Sequence, residues 1–600
     1  MEVNALLMDP KDNVVTCVKD VACGEEVVYR RGDDLVSLTA EQDILSCHKV
    51  ALDALDEGAD VLKYGELIGS TTAAVEKGHL VDHENIYSVP RDYDSELVEE
   101  TGAELPEFVP TKTGLKFWSY RRSEGRPGIR NYVLILPGCA CGSESARVVA
   151  SQVRGAVNIV FNTGCSDVAA NTAMSQKVLT GFACNSNVYG VVIIGLGCET
   201  VGHKQLREMI QAMTSKPVVS FGIQEEGGTL KTIKKAVRAA REMAAEAGMQ
   251  QRELSDISEL FLGIECGGSD ATSGIASNPA VGKLSDLLVD YGATSMMSES
   301  IEWIGAERVV ARRGTTPKIH NEVIEVCRDY EENLKAAGQD CRAGQPTPGN
   351  KAGGLSTIDE KSLGCIRKGG TRPVREVLQQ AERPTQRGAI VMDTAGYDIS
   401  SVTSMVAGGC QVVIFTTGRG TPTGNAIVPV MKVTANERTY NHMEDNMDYD
   451  LSPSCAARRP PRRWAPSCWT RSQPSATASS PRPRPTASRI SPSTTSAASC
   501  KGRGRAAPRP SMHDRARGRV AFPARPQAPR SPAGRGAFMR GSRVPSGAGT
   551  RRAEHFAIRY ARRSRPTYLS PRKTAPGRRI QQAKRPSNRI PIVLLKICRL

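Results

Sequence analysis

Histidine is scarce in this 600-residue chain, with eight in all and six before residue 451. Residues 1–450 contain no run of 18 apolar residues, so no membrane-spanning helix is predicted. The first ten residues have neither a basic nor an apolar segment, so we expect no secretory signal and a cytoplasmic location. The 13 cysteines before residue 451 include no Cys-x-x-Cys pair, and in a reducing compartment we expect thiols, ligands or catalytic groups rather than disulfides.

Acidic residues are almost missing from the last quarter of the chain. Residues 451–600 carry 35 basic and 2 acidic side chains, whereas residues 1–450 carry 45 basic and 61 acidic ones. An Arg/Pro/Ser-rich segment of this kind cannot bury a core, so we expect 451–600 to be a disordered basic tail produced by a reading-frame shift. Nucleic-acid binding through this tail is an alternative from a different functional class. No nucleic-acid-binding motif accompanies the arginines, so we expect no specific nucleic-acid partner.

Short β-segments separated by glycine turns fill residues 1–92, and they predict a small, strongly bent β-domain. The predicted strands are Val14–Val18, Glu26–Tyr29, Asp34–Leu38, Lys49–Leu52, Asp60–Lys63 and Gly65–Ser70. Residues 93–115 are acidic and contain Pro106 and Pro110, which indicates a linker.

Alternating apolar runs and amphipathic stretches follow, and they predict two α/β domains with largely parallel sheets, at residues 116–260 and 261–450. The predicted strands are Asn131–Leu136, Val157–Phe161, Val188–Ile194, Pro217–Phe221, Leu260–Ile264, Ala389–Met392 and Gln411–Phe415. Helices are predicted at Thr229–Ala247 and Asn278–Tyr291.

Glycine- and cysteine-rich turns end many of these strands, and ligands bind beyond the carboxyl ends of strands in open α/β sheets. We therefore expect several turns to converge on one active site. Cysteines lie in these turns at positions 139, 141, 165, 198 and 266. They could hold a transition metal or an iron–sulfur cluster, although a small thiol at a tight turn is often only packing.

A hard-metal site and an anion site are also suggested by spacing. A strand over Leu80–Asn85 would turn Asp82 and Glu84 to one face, where with His48 they could bind Fe²⁺ or Mn²⁺. A solvated charged strand end is the alternative interpretation. The glycine-rich segments 348–354 and 418–424 could bind a carboxylate or phosphate through backbone amides with Lys351 or Arg419, and ordinary turns are the alternative there.

Taken together, these motifs resemble the altronate/galactarate dehydratase family of hydro-lyases, which also contains sulfolactate sulfo-lyases. The resemblance covers nearly all of residues 1–450, and its matching segments are 47–52, 63–69, 125–132, 195–199, 224–228, 265–270, 348–354, 393–398 and 416–420. It implies an N-terminal SAF-like β-clip domain joined to two α/β domains, the second of which would be truncated where the resemblance stops after Asp450. The sequence departs from the family pattern at two places. Relatives carry His-x-His-Asn where this chain has Asp82-His83-Glu84-Asn85, and they often carry histidine at the position of Phe161.

The resemblance implies a metal-dependent dehydration of a sugar acid such as altronate or galactarate to a 2-keto-3-deoxy acid. The implied cofactor is Fe²⁺ or Mn²⁺, with an iron–sulfur cluster as the less favoured form, and we expect a homo-oligomer. We predict metal ligands at His48, Asp82, Glu84 and Cys165, and catalytic groups at Cys198, Glu199, Glu225, Lys351 and Lys361. Substrate-binding residues are predicted at Arg130, Asn131, Gly267, Gly268, Asp270, Asn350 and Arg419. A carbon–sulfur lyase acting on sulfolactate is the alternative within the family.

Overall fold

The computed structural model describes residues 2–456, so the predicted tail over 451–600 lies outside the described residues except for its first six residues. The strands of the described part are β1 (Ala5–Leu6), β2 (Val14–Cys17), β3 (Glu26–Arg31), β4 (Asp34–Thr39), β5 (Lys49–Ala51), β6 (Asp60–Lys63), β7 (Glu66–Thr71), β8 (Leu80–Val81), β9 (Ile86–Tyr87), β10 (Lys116–Ser119), β11 (Tyr132–Pro137), β12 (Ala156–Asn158), β13 (Val188–Gly195), β14 (Val218–Gly222), β15 (Glu253–Asp256), β16 (Phe261–Cys266), β17 (Thr294–Met297), β18 (Val374–Leu378), β19 (Gly388–Met392), β20 (Val412–Thr416), β21 (Val430–Thr434) and β22 (Tyr449–Asp450).

The helices of the same residues are α1 (Ala140–Ser151), α2 (Ala169–Cys184), α3 (His203–Gln211), α4 (Thr229–Met249), α5 (Asn278–Asp290), α6 (Glu307–Ala311), α7 (Pro317–Ala336), α8 (Cys341–Gly344), α9 (Pro348–Lys351), α10 (Ile358–Cys365), α11 (Asp398–Ala407), α12 (Glu437–His442) and α13 (Ser452–Ala456). None of the described helices is long and apolar enough to cross a membrane.

The N-terminal domain consists of three small antiparallel sheets, with strand orders β1-β2-β5-β8, β3-β4 and β6-β7-β9. Its own core is built from alternate strand residues such as Val15, Val27 and Val50, which are almost fully buried. The predicted β-domain is confirmed, and each of its six predicted strands overlaps an observed one.

One prediction in this domain is wrong. The strand expected over Leu80–Asn85 ends at Val81, and the four residues after it form a turn. In that turn the Asp82 carboxylate accepts a hydrogen bond from the Glu84 N–H at 2.8 Å. Alternation along a strand therefore does not place Asp82 and Glu84 on one face.

Parallel sheets form the centres of the two α/β domains, as predicted. The second domain has a four-stranded sheet in the order β12-β11-β13-β14, and the third has a seven-stranded sheet in the order β18-β19-β17-β16-β20-β21-β22. Every pairing within these two sheets is parallel. The direction of winding reverses between β11 and β13 in the smaller sheet and between β16 and β20 in the larger one, and such reversals are where ligands bind.

Within the large sheet, the strands that were not predicted from the sequence are the less apolar ones. β17 reads Thr-Ser-Met-Met, and β18 and β21 each include a charged side chain, Arg375 and Lys432 among them. These strands are nevertheless buried, because helices cover both faces of a parallel sheet. Apolar runs alone therefore predict too few of the strands in a parallel sheet.

Helices α2 and α11 pack the second and third domains together. A Cβ atom at Gly181 would lie 2.5 Å from the carbonyl oxygen of Ala407, so the glycine permits the close approach of the two helices. The Asn185 side-chain amide donates hydrogen bonds to the carbonyl oxygens of Val406 and Cys410, each at 2.9 Å. A shared apolar cluster surrounds this contact, so the two domains form one body.

Candidate active site

The carboxyl ends of β16 and β20 meet at the switch point of the large sheet. The Gly267 N–H donates to the Thr416 carbonyl at 3.1 Å, and the N–H groups of Gly418 and Arg419 donate to the Gly268 carbonyl at 3.2 and 2.9 Å. Two of the turns expected to converge are therefore hydrogen-bonded to each other. This contact brings the predicted residues Gly267, Gly268 and Arg419 together.

Asp270 lies beneath these turns and is almost fully buried. Its carboxylate accepts hydrogen bonds from the Asn436 side-chain amide at 2.8 Å and from the Thr272 hydroxyl at 2.6 Å. The predicted residue Asn350 donates from its side-chain amide to the Ser269 carbonyl at 2.7 Å. Asp270 and Asn350 thus connect the segments that carry the site, and their polar atoms are engaged with protein.

The N-terminal domain reaches the same region through the segment around residue 354. A Cβ atom at Gly354, where φ is +87°, would lie 2.1 Å from the Cys47 carbonyl oxygen. The Lys49 ammonium donates to the Gly354 carbonyl at 3.1 Å. His48, between these two residues, therefore lies beside the glycine-rich segment that carries Lys351.

Acids, thiols and lysines gather at the carboxyl ends of β16 and β17 in what we call the acid–thiol cluster. Its members are Glu265, Cys266, Glu299, Glu302, Lys361, Cys365, Lys368 and Asp398. The Glu302 carboxylate lies 2.9 Å from the Cys266 sulfur and 2.7 Å from the Cys365 sulfur. Six of the eight members are buried, and the cluster approaches the surface at Lys361 and Asp398.

Two ammonium groups partly neutralise the acid–thiol cluster. Lys368 pairs with Glu299 and lies 3.1 Å from the Cys266 sulfur, and Lys361 lies 3.1 Å from Glu302. Four carboxyl groups face two lysines. If all the carboxyl groups were ionised, the cluster would keep an excess of negative charge in a site with little water.

The pKa values of the cluster reflect this imbalance. Burial, followed by the nearby Glu302 charge, raises the pKa of Glu299 to about 8 and that of Asp398 to about 6. Burial and the Glu299 charge also raise the pKa of Glu265 well above its usual range. Burial alone would raise the pKa of Glu302 as well, but Lys361 and Lys368 lower it to about 2. Carboxyl groups with such separated pKa values are typical of sites that move protons.

Two sets of side chains among the described residues lie close enough to share a cation: Cys266, Glu299, Glu302 and Cys365, and Glu265, Glu299 and Asp398. The first set already contacts the Lys368 ammonium. In the second set one oxygen of Glu265 and one of Glu299 are buried without a hydrogen-bond donor. Oxygen ligands of this kind fit Mn²⁺ or Fe²⁺, and a cation would satisfy both orphaned atoms.

The metal ligands predicted from the sequence belong to neither set. Strands β5 and β8 are antiparallel, and Lys49 lies opposite Val81. The next positions along the two strands are His48 and Asp82, which therefore lie side by side. The Glu84 side chain is exposed, and Cys165 lies in the second domain. The structure thus brings His48 next to Asp82 but does not join the four residues into one site.

The second domain has its own group of predicted residues at its carboxyl edge. The Glu199 carboxylate accepts hydrogen bonds from the N–H groups of Leu196, Gly197 and His203, at 3.2, 2.5 and 3.2 Å. Glu225 pairs with Lys204 at 2.8 Å. The Glu199 carboxylate thus holds the turn that leads into α3, and the Glu225 carboxylate contacts a lysine of α3 itself. The Cys198 thiol is exposed.

Arg130 and Asn131 lie apart from all of these residues. They precede β11 and so stand at the amino end of the sheet rather than at the carboxyl edge. The Asn131 side-chain amide accepts a hydrogen bond from the Arg122 guanidinium at 2.8 Å and donates one to the Ala247 carbonyl at 2.8 Å. These contacts fasten the start of β11 to the end of α4.

Six members of the cluster were not singled out from the sequence: Glu265, Glu299, Glu302, Cys365, Lys368 and Asp398. Glu299 and Glu302 follow β17, a strand that was not predicted, so their place at a strand end went unrecognised. Lys368 follows Cys365 by three residues, which is about one helical turn. This spacing places the two side chains on one face of a helix, and it was the signal in the sequence that could have linked them.

A doubly wound parallel sheet with buried acids and lysines at its switch point is the arrangement of an α/β enzyme that handles charged substrates and protons. Family models match three consecutive regions: the altronate/galactarate dehydratase SAF domain at residues 3–89, the D-galactarate dehydratase/altronate hydrolase second domain at 119–248 and the D-galactarate/altronate dehydratase C-terminal domain at 257–462. The chain therefore belongs to the altronate/galactarate dehydratase family of hydro-lyases. The last match extends to residue 462, so the resemblance does not stop after Asp450 as expected, and Leu451 is buried against the third domain.

Known members of the family are similar over most of their length. The altronate dehydratase of Bacillus subtilis is 30% identical over 450 residues, which cover 73% of this chain and 88% of that protein. The galactarate dehydratase (L-threo-forming) of Escherichia coli is 33% identical over 463 residues, covering 73% of this chain and 86% of that protein. The (2R)-sulfolactate sulfo-lyase subunit beta of Chromohalobacter salexigens is 38% identical over 341 residues, covering 56% of this chain and 87% of that protein.

Proposed function

We propose that the protein dehydrates a sugar acid such as altronate or galactarate by β-elimination, giving a 2-keto-3-deoxy acid. The proposal depends on family membership and on one structural observation. Buried oxygens of Glu265 and Glu299 lack donors beside the turn that carries Gly267 and Gly268. A cytoplasmic location and a homo-oligomeric state accompany this proposal as predictions.

The metal in this proposal is Fe²⁺ or Mn²⁺, held by the buried oxygens of Glu265 and Glu299 that lack donors, which leaves the Asp398 carboxylate free to act as a base. When bound, it would supply positive charge to polarise the substrate carboxylate. Ser401 donates to the second oxygen of Glu265 at 2.7 Å and would orient that ligand. The set predicted from the sequence, His48, Asp82, Glu84 and Cys165, is the competing proposal for the metal site.

The residues at the rim of the acid–thiol cluster have the properties that the proton transfers need. Asp398 has a pKa near 6, so above that pH its carboxylate can accept the proton from the carbon next to the substrate carboxylate. Burial alone would lower the pKa of Lys361, but the charge and hydrogen bond of Glu302, together with the two nearby thiols, raise it, so Lys361 stays an ammonium group. It can donate a proton to the departing hydroxyl, which leaves as water. The enol that remains becomes the 2-keto acid by tautomerisation.

The turns at the switch point would bind the substrate carboxylate. The Arg419 guanidinium lies beside Gly349, 3.8 Å from the position of a Cβ atom there, so it faces the segment that carries Lys351. A guanidinium with neighbouring backbone amides is a favourable carboxylate site. Lys351 is the further candidate base, as predicted from the sequence.

Asp398→Asn tests the proposed base, because it keeps the shape of the side chain and removes its basicity. We expect kcat on the best sugar acid to fall by about 10²-fold or more with an unchanged unfolding midpoint. Glu242→Gln, a change of an exposed acid on α4, is the matched control and should retain full activity. Wild-type kcat in Asp398→Asn would exclude Asp398 as the base.

Carbon–sulfur cleavage of sulfolactate is the second candidate, because the sulfo-lyase subunit has a higher identity than the two dehydratases, over a shorter span. This reaction needs the same acidic proton next to a carboxylate and releases sulfite instead of water. A panel of altronate, galactarate and sulfolactate, supplied with Fe²⁺ or Mn²⁺ after chelation, distinguishes the two. Turnover of sulfolactate alone would replace the proposed substrate class, and full turnover after exhaustive metal removal would exclude the metal.

A further inference from the structure

The carboxyl edge of the second domain carries more cysteine than packing explains. Among the described residues, 14 cysteines are free, and four of these have exposed side chains. Three of the four, Cys141, Cys165 and Cys198, lie on this one edge, whereas free cysteine is ordinarily among the most buried residue types. A buried fourth thiol, Cys139, lies at the start of α1 on the same edge.

Hydrogen bonds join the three turns that carry these thiols. The Ala140 N–H donates to the Thr163 carbonyl at 2.7 Å, and the Thr200 N–H donates to the Gly164 carbonyl at 2.8 Å. The turn of Cys165 therefore lies between the turns of Cys139 and Cys198. The Gly138 N–H also donates to the Ile194 carbonyl at 2.9 Å, across the switch point of this sheet.

The Cys139 side chain occupies the centre of this junction. A Cβ atom at Gly164, where φ is +133°, would lie 2.5 Å from the Cys139 Cβ atom, so only glycine permits the contact. Cys139 directly precedes the 12-residue helix α1, and the amino end of a helix suits a negatively charged thiolate centre.

We propose that this edge binds an iron–sulfur cluster through the thiolates of Cys139, Cys165 and Cys198, one from each turn, with Cys141 as the fourth. Soft thiolate ligands select iron–sulfur clusters and zinc over hard cations. Neither of the two sets that could share a single ion, in the part of the chain that the structure describes, includes these cysteines. In a [4Fe–4S] cluster each cysteine binds a different iron, so the cysteine sulfurs lie further apart than the ligands of a single ion.

A small pocket lies beside the Cys165 turn. It is lined by Gly138, Thr163 and Gly164 of the turns and by polar side chains that include Asp167, Thr172 and Gln176. The cluster site goes beyond the proposed function, because it uses none of the residues of the acid–thiol cluster.

The test is iron and sulfide analysis of the full chain purified without oxygen and reconstituted with Fe²⁺ and sulfide. We expect stoichiometric iron and acid-labile sulfide, and a visible absorbance that bleaches on reduction with dithionite. Cys165→Ser and Cys198→Ser, both at exposed turns, should each lose most of that absorbance while keeping the wild-type unfolding midpoint. Cys23→Ser, which changes an exposed thiol of the N-terminal domain, is the control and should retain it.

Three outcomes would overturn the proposal. These are iron without sulfide, a zinc ion in place of the cluster, and absorbance that survives in both Cys165→Ser and Cys198→Ser. Because the readout is spectroscopic, it does not depend on dehydratase activity. A loaded cluster in a chain that turns over no sugar acid would refute the proposed function alone.

Discussion

Lys49 of the N-terminal domain and Glu360 of the third domain form an ion pair 2.9 Å long in which both side chains are completely buried. Lys63 approaches the other oxygen of the same carboxylate at 2.6 Å and is also buried. One carboxylate therefore faces two lysines across the domain junction. Burial alone would raise the pKa of Glu360, but the two ammonium groups lower it to about 2.

Replacing Glu360 by glutamine should destabilise the protein strongly. The change leaves two buried ammonium groups without a counter-charge, and breaking a buried pair in this way costs about 3–5 kcal/mol. Urea unfolding should show the loss, and proteolysis within residues 93–115 should become faster as the N-terminal domain loosens. Glu242→Gln, which removes an exposed acid, should change the free energy of unfolding by less than about 1 kcal/mol. Equal effects of the two changes would mean that the junction does not depend on this carboxylate.

Gly267→Ala should lower activity more than stability. The added methyl group would lie 2.5 Å from a carboxylate oxygen of Asp398, the proposed base, so that side chain must shift. We expect kcat to fall by about tenfold or more, since misplacing a catalytic group by about 1 Å can cost roughly 10²-fold. Gly248→Ala in α4, where a methyl group meets open space, is the control and should stabilise the chain by about 0.5–1 kcal/mol. Wild-type kinetics in Gly267→Ala would show that Asp398 tolerates displacement.

The stability of the protein should rise with pH above about 7 because of Lys216. Burial lowers the pKa of this lysine to about 7, while its ammonium group donates to the carbonyl oxygen of Asn185 at 2.5 Å. Between pH 7 and the unfolded value of 10.5, the unfolded chain holds a proton that the folded chain has released. Folding then gains up to about 1.4 kcal/mol per pH unit, and this gain is lost as the pH falls towards 7.

Lys216→Met isolates this contribution from other groups that titrate in alkali. The free energy of unfolding of wild type relative to Lys216→Met should increase from pH 7 to pH 9 and stay constant below about pH 6. A difference that is flat over the whole range would show that Lys216 keeps an ordinary pKa.

Patterns that depend on apolar periodicity predicted the fold well, whereas the chemistry of the site depended on contacts between distant segments. The helix predicted over Thr229–Ala247 is present as α4, and the turn at Gly267 meets the turn at Gly418 as expected. Glu299 and Cys365 escaped notice because a short strand of low hydrophobicity and a 3D contact bring them to Cys266. Sequence spacing carries no information on such contacts.

His48→Ala should lower turnover while leaving the fold intact. His48 lies at the end of the first domain's β5, between Cys47, which contacts Gly354, and Lys49, which bonds to the Gly354 carbonyl. Its ring nitrogen lies 3.3 Å from the Ser46 carbonyl, and the side chain is only partly buried, so its loss leaves no large cavity. We expect kcat to fall by about tenfold or more with an unfolding midpoint like that of wild type.

His83→Ala provides the control for this change, since His83 is an exposed histidine next to Asp82 in the same domain. A fall in kcat for His48→Ala but not for His83→Ala would place His48 at the active site, across the domain junction from Lys351. If excess Fe²⁺ or Mn²⁺ restored the rate of His48→Ala, the metal would belong to the set predicted from the sequence rather than to Glu265 and Glu299. Wild-type rates in both variants would remove His48 from the reaction, and the N-terminal domain would then act on the site only through the Lys49–Glu360 junction.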